Sequence, residues 1–264
     1  MKVLICTDLE GCAGVVSFEE QAYPDGKYFE QAKRLATAEV NAAVTALAEA
    51  GVEDILVWDG HGPGGLVYEE LHPAAKLLHG RPLAPAAVRD AVFSEYDVCM
   101  MVGQHAMAGT VDGNLNHTQS SQSVEYYKLN GKHIGEIAQF ALYAGSLGLP
   151  LIFLSGDEAA CREAQALIPG ITTAAVKKGL SRGSAISLAP AAAQRLIREG
   201  VARALASQAQ EPLAPLSWPG PYELEIRFFH THVADAYAQR PGVQRVDALT
   251  IRVRSDNIRE LIYF

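Results

Sequence analysis

The residues best able to do chemistry arrive in five short stretches: Asp8-Leu9-Glu10-Gly11, Asp59-Gly60-His61, Gln104-His105, Asn116-His117-Thr118 and Gly135-Glu136. Asp8 and Glu10 follow directly on Val3-Leu4-Ile5-Cys6, a continuous apolar run of the kind buried on both faces of a parallel sheet. In an extended chain, residues two apart point the same way and lie about 7 Å apart. Carboxylates so placed can span a pair of metal ions separated by about 3.5–4 Å. One Asp-x-Glu alone reads as a solvated acidic turn, and each histidine alone reads as a loop histidine. Their shared placement changes the reading. His61 closes a second apolar run, His105 closes a third, His117 sits in a polar loop, and Glu136 opens a helix. Carboxylate and imidazole together suit Zn²⁺ or a related first-row ion.

The elements that must position these groups alternate. Residues 28–50 predict a long helix with Leu35, Val40, Ala43, Val44 and Leu47 as its apolar stripe and Gly51 as its stop. Asp54–Asp59 (DILVWD) predicts a second strand, so the first 59 residues form a βαβ unit with a right-handed crossover. Strands are expected at 97–103, 151–155 and 172–176, and helices at 134–147, 158–167 and 191–206, the last introduced by Pro190. Residues 211–221 (EPLAPLSWPGP) carry four prolines and read as a linker or rigid excursion. Beyond it, 222–229 and 248–253 look like strands, and Asp256 is placed to cap a terminal helix. The expected fold class is α/β: a mostly parallel sheet with helices on both faces over residues 1–178, plus a smaller C-terminal α+β portion, 179–264, that serves assembly.

Composition narrows the function. The chain has 264 residues, is 49% hydrophobic, and carries a net charge of −8. That balance argues against nucleic acid, whose binders show a basic footprint. No apolar run is long enough to span a membrane, and the N-terminus enters a strand without a leader pattern. Cys6, Cys12, Cys99 and Cys161 are too few and too scattered for a disulfide framework, so a cytoplasmic location is expected.

Competing motifs are weaker. Gly60–Gly65 formally contains GxGxxG, but Pro63 interrupts it and no acidic residue follows at 78–86 to hold a ribose. Asp8-Leu9-Glu10 with Gly156-Asp157-Glu158 is reminiscent of haloacid-dehalogenase-type phosphatases, which expect Asp where Glu10 and Cys161 stand. A metal-dependent phosphohydrolase or a non-catalytic metal-binding α/β domain is the alternative reading. His72, His79 and His133 read as surface residues, as do His230 and His232, which are expected to share a strand face without an acidic companion. Cys12 reads as a structural thiol.

The ordered set Asp8-x-Glu10-Gly11, Asp59-Gly60-His61, Gln104-His105-Ala106, His117 and Gly135-Glu136 resembles the binuclear zinc D-aminopeptidases of the dipeptide-operon type. The likeness continues through Leu71-His72-Pro73, Ser155-Gly156-Asp157, Ile168-Pro169, Thr172–Lys177 and Ser181-Arg182, covering most of the first 190 residues. The resemblance implies two Zn²⁺ per chain, Asp8 as the bridge, Glu10, His61, His105 and Glu136 as the other ligands, and His117 as the catalytic residue. It implies release of an N-terminal D-amino acid from a short peptide or amide substrate. It also implies a homo-oligomer, a stacked-ring decamer. Leu115-Asn116 and the glycine-rich loop after His61 depart from the pattern, which bears on substrate choice. Asp59, two residues before His61, is placed either to accept that imidazole's other N–H or to cap the following turn.

Overall fold

A computed structural model describes residues 1–264. In chain order the elements are β1 (Lys2–Thr7), α1 (Phe29–Glu49), β2 (Asp54–Asp59), β3 (Ala75–Leu78), α2 (Ala86–Phe93), β4 (Val98–Gln104), β5 (Val124–Leu129), β6 (Lys132–Ile134), α3 (Glu136–Ser146), β7 (Leu151–Asp157), α4 (Glu158–Leu167), β8 (Thr172–Ser181), β9 (Ser184–Ser187), α5 (Pro190–Gln210), β10 (Tyr222–Phe228), α6 (Thr231–Ala238), β11 (Gln244–Arg245), β12 (Thr250–Ser255) and α7 (Ile258–Leu261). The apolar runs become the central strands because each can be buried on both sides. β1, β4 and β7 have almost no exposed residue.

The main sheet has the order β3-β2-β1-β4-β7-β8-β9, parallel except for β9, which turns back along β8. Side chains alternate between two cores. Val3, Ile5, Ile55, Val57 and Met100 face α1 and α5, while Leu4, Cys6, Trp58, Met101 and Leu154 face α3 and the elements beyond it. The helices therefore cover both faces, as the two-sided apolar strands require. From β1 the chain steps outward to β2 and β3, then returns to the other side of β1 as β4. The strand order reverses between β1 and β4, and the carboxyl edge at such a switch point is where open α/β sheets take ligands.

A second, antiparallel sheet has the order β11-β12-β10-β5-β6. It draws β5 and β6 from the middle of the chain and β10–β12 from the end. The expected boundary at residue 178 needs correction. It falls inside β8, and α5, beyond it, packs on α1, β7 and β8. Leu224, Ile226 and Phe228 of β10 share one apolar cluster with Phe140 and Tyr143 of α3, so the two sheets have a common core. The strand reading across His230 and His232 also fails: β10 ends at Phe228, His230 precedes α6, and His232 lies within it. The terminal helix is capped by Asn257, whose side chain accepts the Arg259 N–H, and not by Asp256.

Glycines let this edge close up: a Cβ at Gly103, in β4, would overlap the Asp8 carbonyl. A Cβ at Gly11, in the turn after β1, or at Gly156, in β7, would overlap the carbonyl of Gln104 at the end of β4. The three strand ends approach one another more closely than any side chain would allow.

Candidate metal centre and active site

Asp8 leaves the end of β1, His61 follows β2, His105 follows β4, and Glu136 is the first residue of α3. The loop between β4 and β5 returns His117 to the same place. The structure brings all six expected groups together. His61 Nδ1 lies 3.3 Å from Asp8 Oδ1 and 3.0 Å from Glu10 Oε2. His105 Nε2 lies 3.1 Å from Asp8 Oδ2 and 3.4 Å from Glu136 Oε1. His117 Nε2 is 3.8 Å from Glu136 Oε1, and its ring stacks on that of His105 at 3.9 Å. Asp8 thus turns one oxygen toward each half. The donors fall into two groups, Asp8–Glu10–His61 and His105–His117–Glu136, each with its atoms within 4.8 Å of one another.

The other nitrogen of each ring fixes its tautomer. His61 Nε2 donates to the Ala22 carbonyl, His105 Nδ1 to the Ala106 carbonyl and His117 Nδ1 to the Leu115 carbonyl, each at 2.9 Å. In the neutral rings, the lone pair on the remaining nitrogen then points at carboxylate oxygens. His105 Nε2 is the clearest case: it is buried and has no hydrogen-bond partner between two anionic groups. A metal ion would satisfy the lone pairs of neutral imidazoles and the carboxylates together; without one, the same contacts are imidazolium–carboxylate pairs. The 3.0–3.4 Å separations also match the roughly 3.3 Å edge of a tetrahedral shell at zinc–ligand lengths. The residues fit zinc.

Electrostatics follows from the same geometry. Burial opposes charge on His61 and His105, yet Glu10, Asp8 and Glu136 hold both imidazoles well above their ordinary pKa. Burial would raise Asp8, but His105 and His61 bring it well below the carboxylate range. Glu136 is lowered in the same way, chiefly by His105 against the effect of burial. His117 moves in the other direction: burial and the adjacent His105 ring lower its pKa and favour the neutral form.

Asp59 takes the second of its two roles. Both its oxygens accept the Gly65 N–H, at 3.0 and 2.9 Å, closing the glycine-rich turn, while the His61 N–H goes to Ala22. Asp157 caps α4 through the Ala159 N–H, so the phosphatase-like acidic motif is a helix cap. His230 and His232 stack on each other at 5.5 Å and are exposed.

Three supports escaped the sequence reading as functional residues. Lys177, buried on β8, donates its ammonium to the carbonyls of Glu10 and Val15 and to Asn114 Oδ1. It ties the turn carrying Glu10 to the loop carrying His117. Arg81 donates to the carbonyls of Asp59, Gly60 and His61, and the Gln119 N–H donates to Glu136 Oε1. The only sequence signal was Lys177's place in the Thr172–Lys177 stretch; a lysine in a strand is otherwise read as solvated.

The family model for peptidase family M55, described as D-aminopeptidase, matches residues 1–264. The chain belongs to this D-aminopeptidase family. The D-aminopeptidase of Bacillus subtilis (strain 168) is 30% identical over 263 residues, covering 98% of this chain and 93% of that protein. Among solved structures, the Zn-dependent D-aminopeptidase DppA from Bacillus subtilis, described as a self-compartmentalizing protease, superposes with a TM-score of 0.91. That match has 29% identity and covers 100% of this chain and 94% of the other. The α/β fold and the peptidase family expected from the ordered motifs are those found.

Proposed function

We propose that this family member is a binuclear zinc aminopeptidase that releases an N-terminal D-amino acid from short peptides or amides. The observation carrying the reading is the His105 imidazole, whose buried, unpartnered Nε2 faces Asp8 and Glu136. Asp8 would bridge two ions, with Glu10 and His61 on one side and His105 and Glu136 on the other. Zinc held there supplies Lewis acidity, polarising a carbonyl and acidifying water. His117 is kept neutral and oriented by Leu115, with Nε2 open to the cluster, so it can accept a proton there and return it to the leaving amine. Lys177 and Gln119 hold Glu10 and Glu136 in place while this happens.

The cavity over the cluster has a volume of about 710 Å³ and is lined by Asp8, Glu10, His61, His117 and Glu136 among others. That volume suits a small ligand or short peptide. We also propose a homo-oligomer of stacked rings, a decamer, that uses part of residues 179–264. Leu180, Ile186 and Leu188, exposed on the edge hairpin β8–β9, are suited to burial against another copy. Four free, buried cysteines fit a cytoplasmic location, and no helix is long and apolar enough to cross a membrane.

Elemental analysis of the purified enzyme, paired with hydrolysis of D- and L-aminoacyl amides, tests the reading. Two zinc ions per chain with D-selective cleavage is the expected result. Magnesium dependence with phosphate release would replace it with the phosphohydrolase alternative.

A further inference from the structure

The cavity does not end at the carboxylates. Cys6 lies two residues before Asp8 on the same face of β1, and with Trp58, Met101, Phe140 and Tyr263 it forms an apolar wall beside the metal edge. Arg89, on α2, is a cation in this wall. Its guanidinium carbon sits 5.8 Å from the centre of the Trp58 ring, close enough for a cation–π contact. Its Nε is buried without a hydrogen-bond partner.

The nearest acid in sequence does not answer that charge. Asp90 accepts from the Tyr143 hydroxyl at 2.6 Å and from Arg259 at 2.9 Å. Glu136, across the cavity, is engaged by the Gln119 N–H and the histidines. Trp58 adds a second vacant donor: the residue is 5% exposed, and its indole Nε1 is buried with no partner. Native proteins rarely leave buried donors unmatched, and the half-buried guanidinium has beside it only the neutral Tyr143 hydroxyl, which leaves its charge unanswered. Both vacant groups are N–H donors, one of them charged. Their complement is an acceptor with negative charge, and the guanidinium fork matches the two oxygens of a carboxylate.

We propose that Arg89, with the indole N–H of Trp58, forms a subsite that docks a carboxylate of the peptide substrate. The assignment rests on the aminopeptidase reading above, which places the scissile bond at the metal edge. A C-terminal carboxylate reaching the subsite would make the enzyme select short peptides by length. An acidic side chain reaching it would select by composition.

Two substrate pairs separate these sources in the zinc-loaded enzyme: D-alanyl-glycine against D-alanyl-glycinamide, and D-glutamic acid α-amide against D-glutamine α-amide. The expected result is a kcat/KM ratio of acid to amide of about 10 to 100 in one pair, carried mainly by KM. Preference in the first pair assigns the C-terminus, and preference in the second assigns the side chain. Arg89→Met should bring that ratio close to one, Arg89→Lys should restore part of it, and Trp58→Phe should lower it several-fold while keeping the ring. Equal turnover of acid and amide in both pairs by the wild type, or a ratio unmoved by Arg89→Met and Trp58→Phe, would overturn the subsite. Calorimetric binding of the same ligands reads the contrast without turnover. Acid-selective binding with no cleavage would therefore sink the aminopeptidase reading and leave the subsite standing.

Discussion

The two halves of the centre are built differently. Asp8, Glu10 and His61 are all less than 10% exposed, meet at 3.0–3.3 Å, and are braced from outside by the Ala22 carbonyl and the Lys177 ammonium. His105, His117 and Glu136 meet at 3.4–3.8 Å, and the Glu136 side chain is 22% exposed. Their loop supplies its own bracing: His117 donates to Leu115 and Glu136 accepts from Gln119, two non-glycine residues with φ of +53° and +64°. The first half is a holder anchored in the body of the fold. The second carries His117, the proposed proton-transfer group, on a backbone held in a sparsely populated conformation, which is common where a loop must aim a side chain.

The largest effect should come from the one residue common to both halves. Asp8→Ala is expected to empty both metal positions and reduce turnover to background, with a lower Tm because bound metal stabilises the fold. Full occupancy in either position, by elemental analysis, would show that Asp8 is not the bridge. His117→Ala should instead keep two metals while lowering kcat by about 10²–10⁴-fold. Zinc loss in that variant would move His117 among the ligands and erase the contrast between halves.

Lys177→Met probes the brace. It leaves the Glu10 and Val15 carbonyls and Asn114 Oδ1 without their shared donor, and should cost about 3 kcal/mol in urea unfolding of the metal-free protein. An unchanged midpoint would mean that the turn carrying Glu10 is held by other contacts.

The smallest effect concerns Glu39, which accepts the Ala13 N–H beside the same turn. Burial raises its pKa from 4.5 to about 7. The native state then binds this proton more tightly than the unfolded chain, so its contribution is fully present below pH 4.5 and is lost as pH rises toward 7. Glu39→Gln should remove up to about 3 kcal/mol of that pH dependence and leave the variant more stable than the parent above pH 7. Parallel stability–pH curves for the two proteins would contradict this.

Three of the ligand candidates were legible because strands end where apolar runs end, and Asp8, His61 and His105 stand at those ends. Glu136 was legible as the opening of a helix. His117 had no periodicity to place it; only its order among the other motifs did. β3, β5, β6 and β9 went unread because short, half-exposed strands such as Ala75–Leu78 lack both a continuous apolar run and strict alternation. His230 and His232 were placed on a strand face because the helix face presented by Val233, Ala234 and Tyr237 is too short to show a 3.6-residue repeat. The role of Asp59 depended on which donor came within reach, and that is decided by tertiary structure.

The closeness of the strand ends around Gln104 has a consequence for how such a protein can change over evolutionary time. A ligand position has some latitude, since a metal accepts carboxylate or imidazole from several geometries. Gly11 and Gly156 have none, because even a methyl group at either would push into the Gln104 carbonyl and pry β1 or β7 away from β4. Descendants of this chain are free to explore new loops over the cavity, and even new metals within it. Positions that carry no chemistry at all, these two glycines among them, are the ones their lineage must leave untouched.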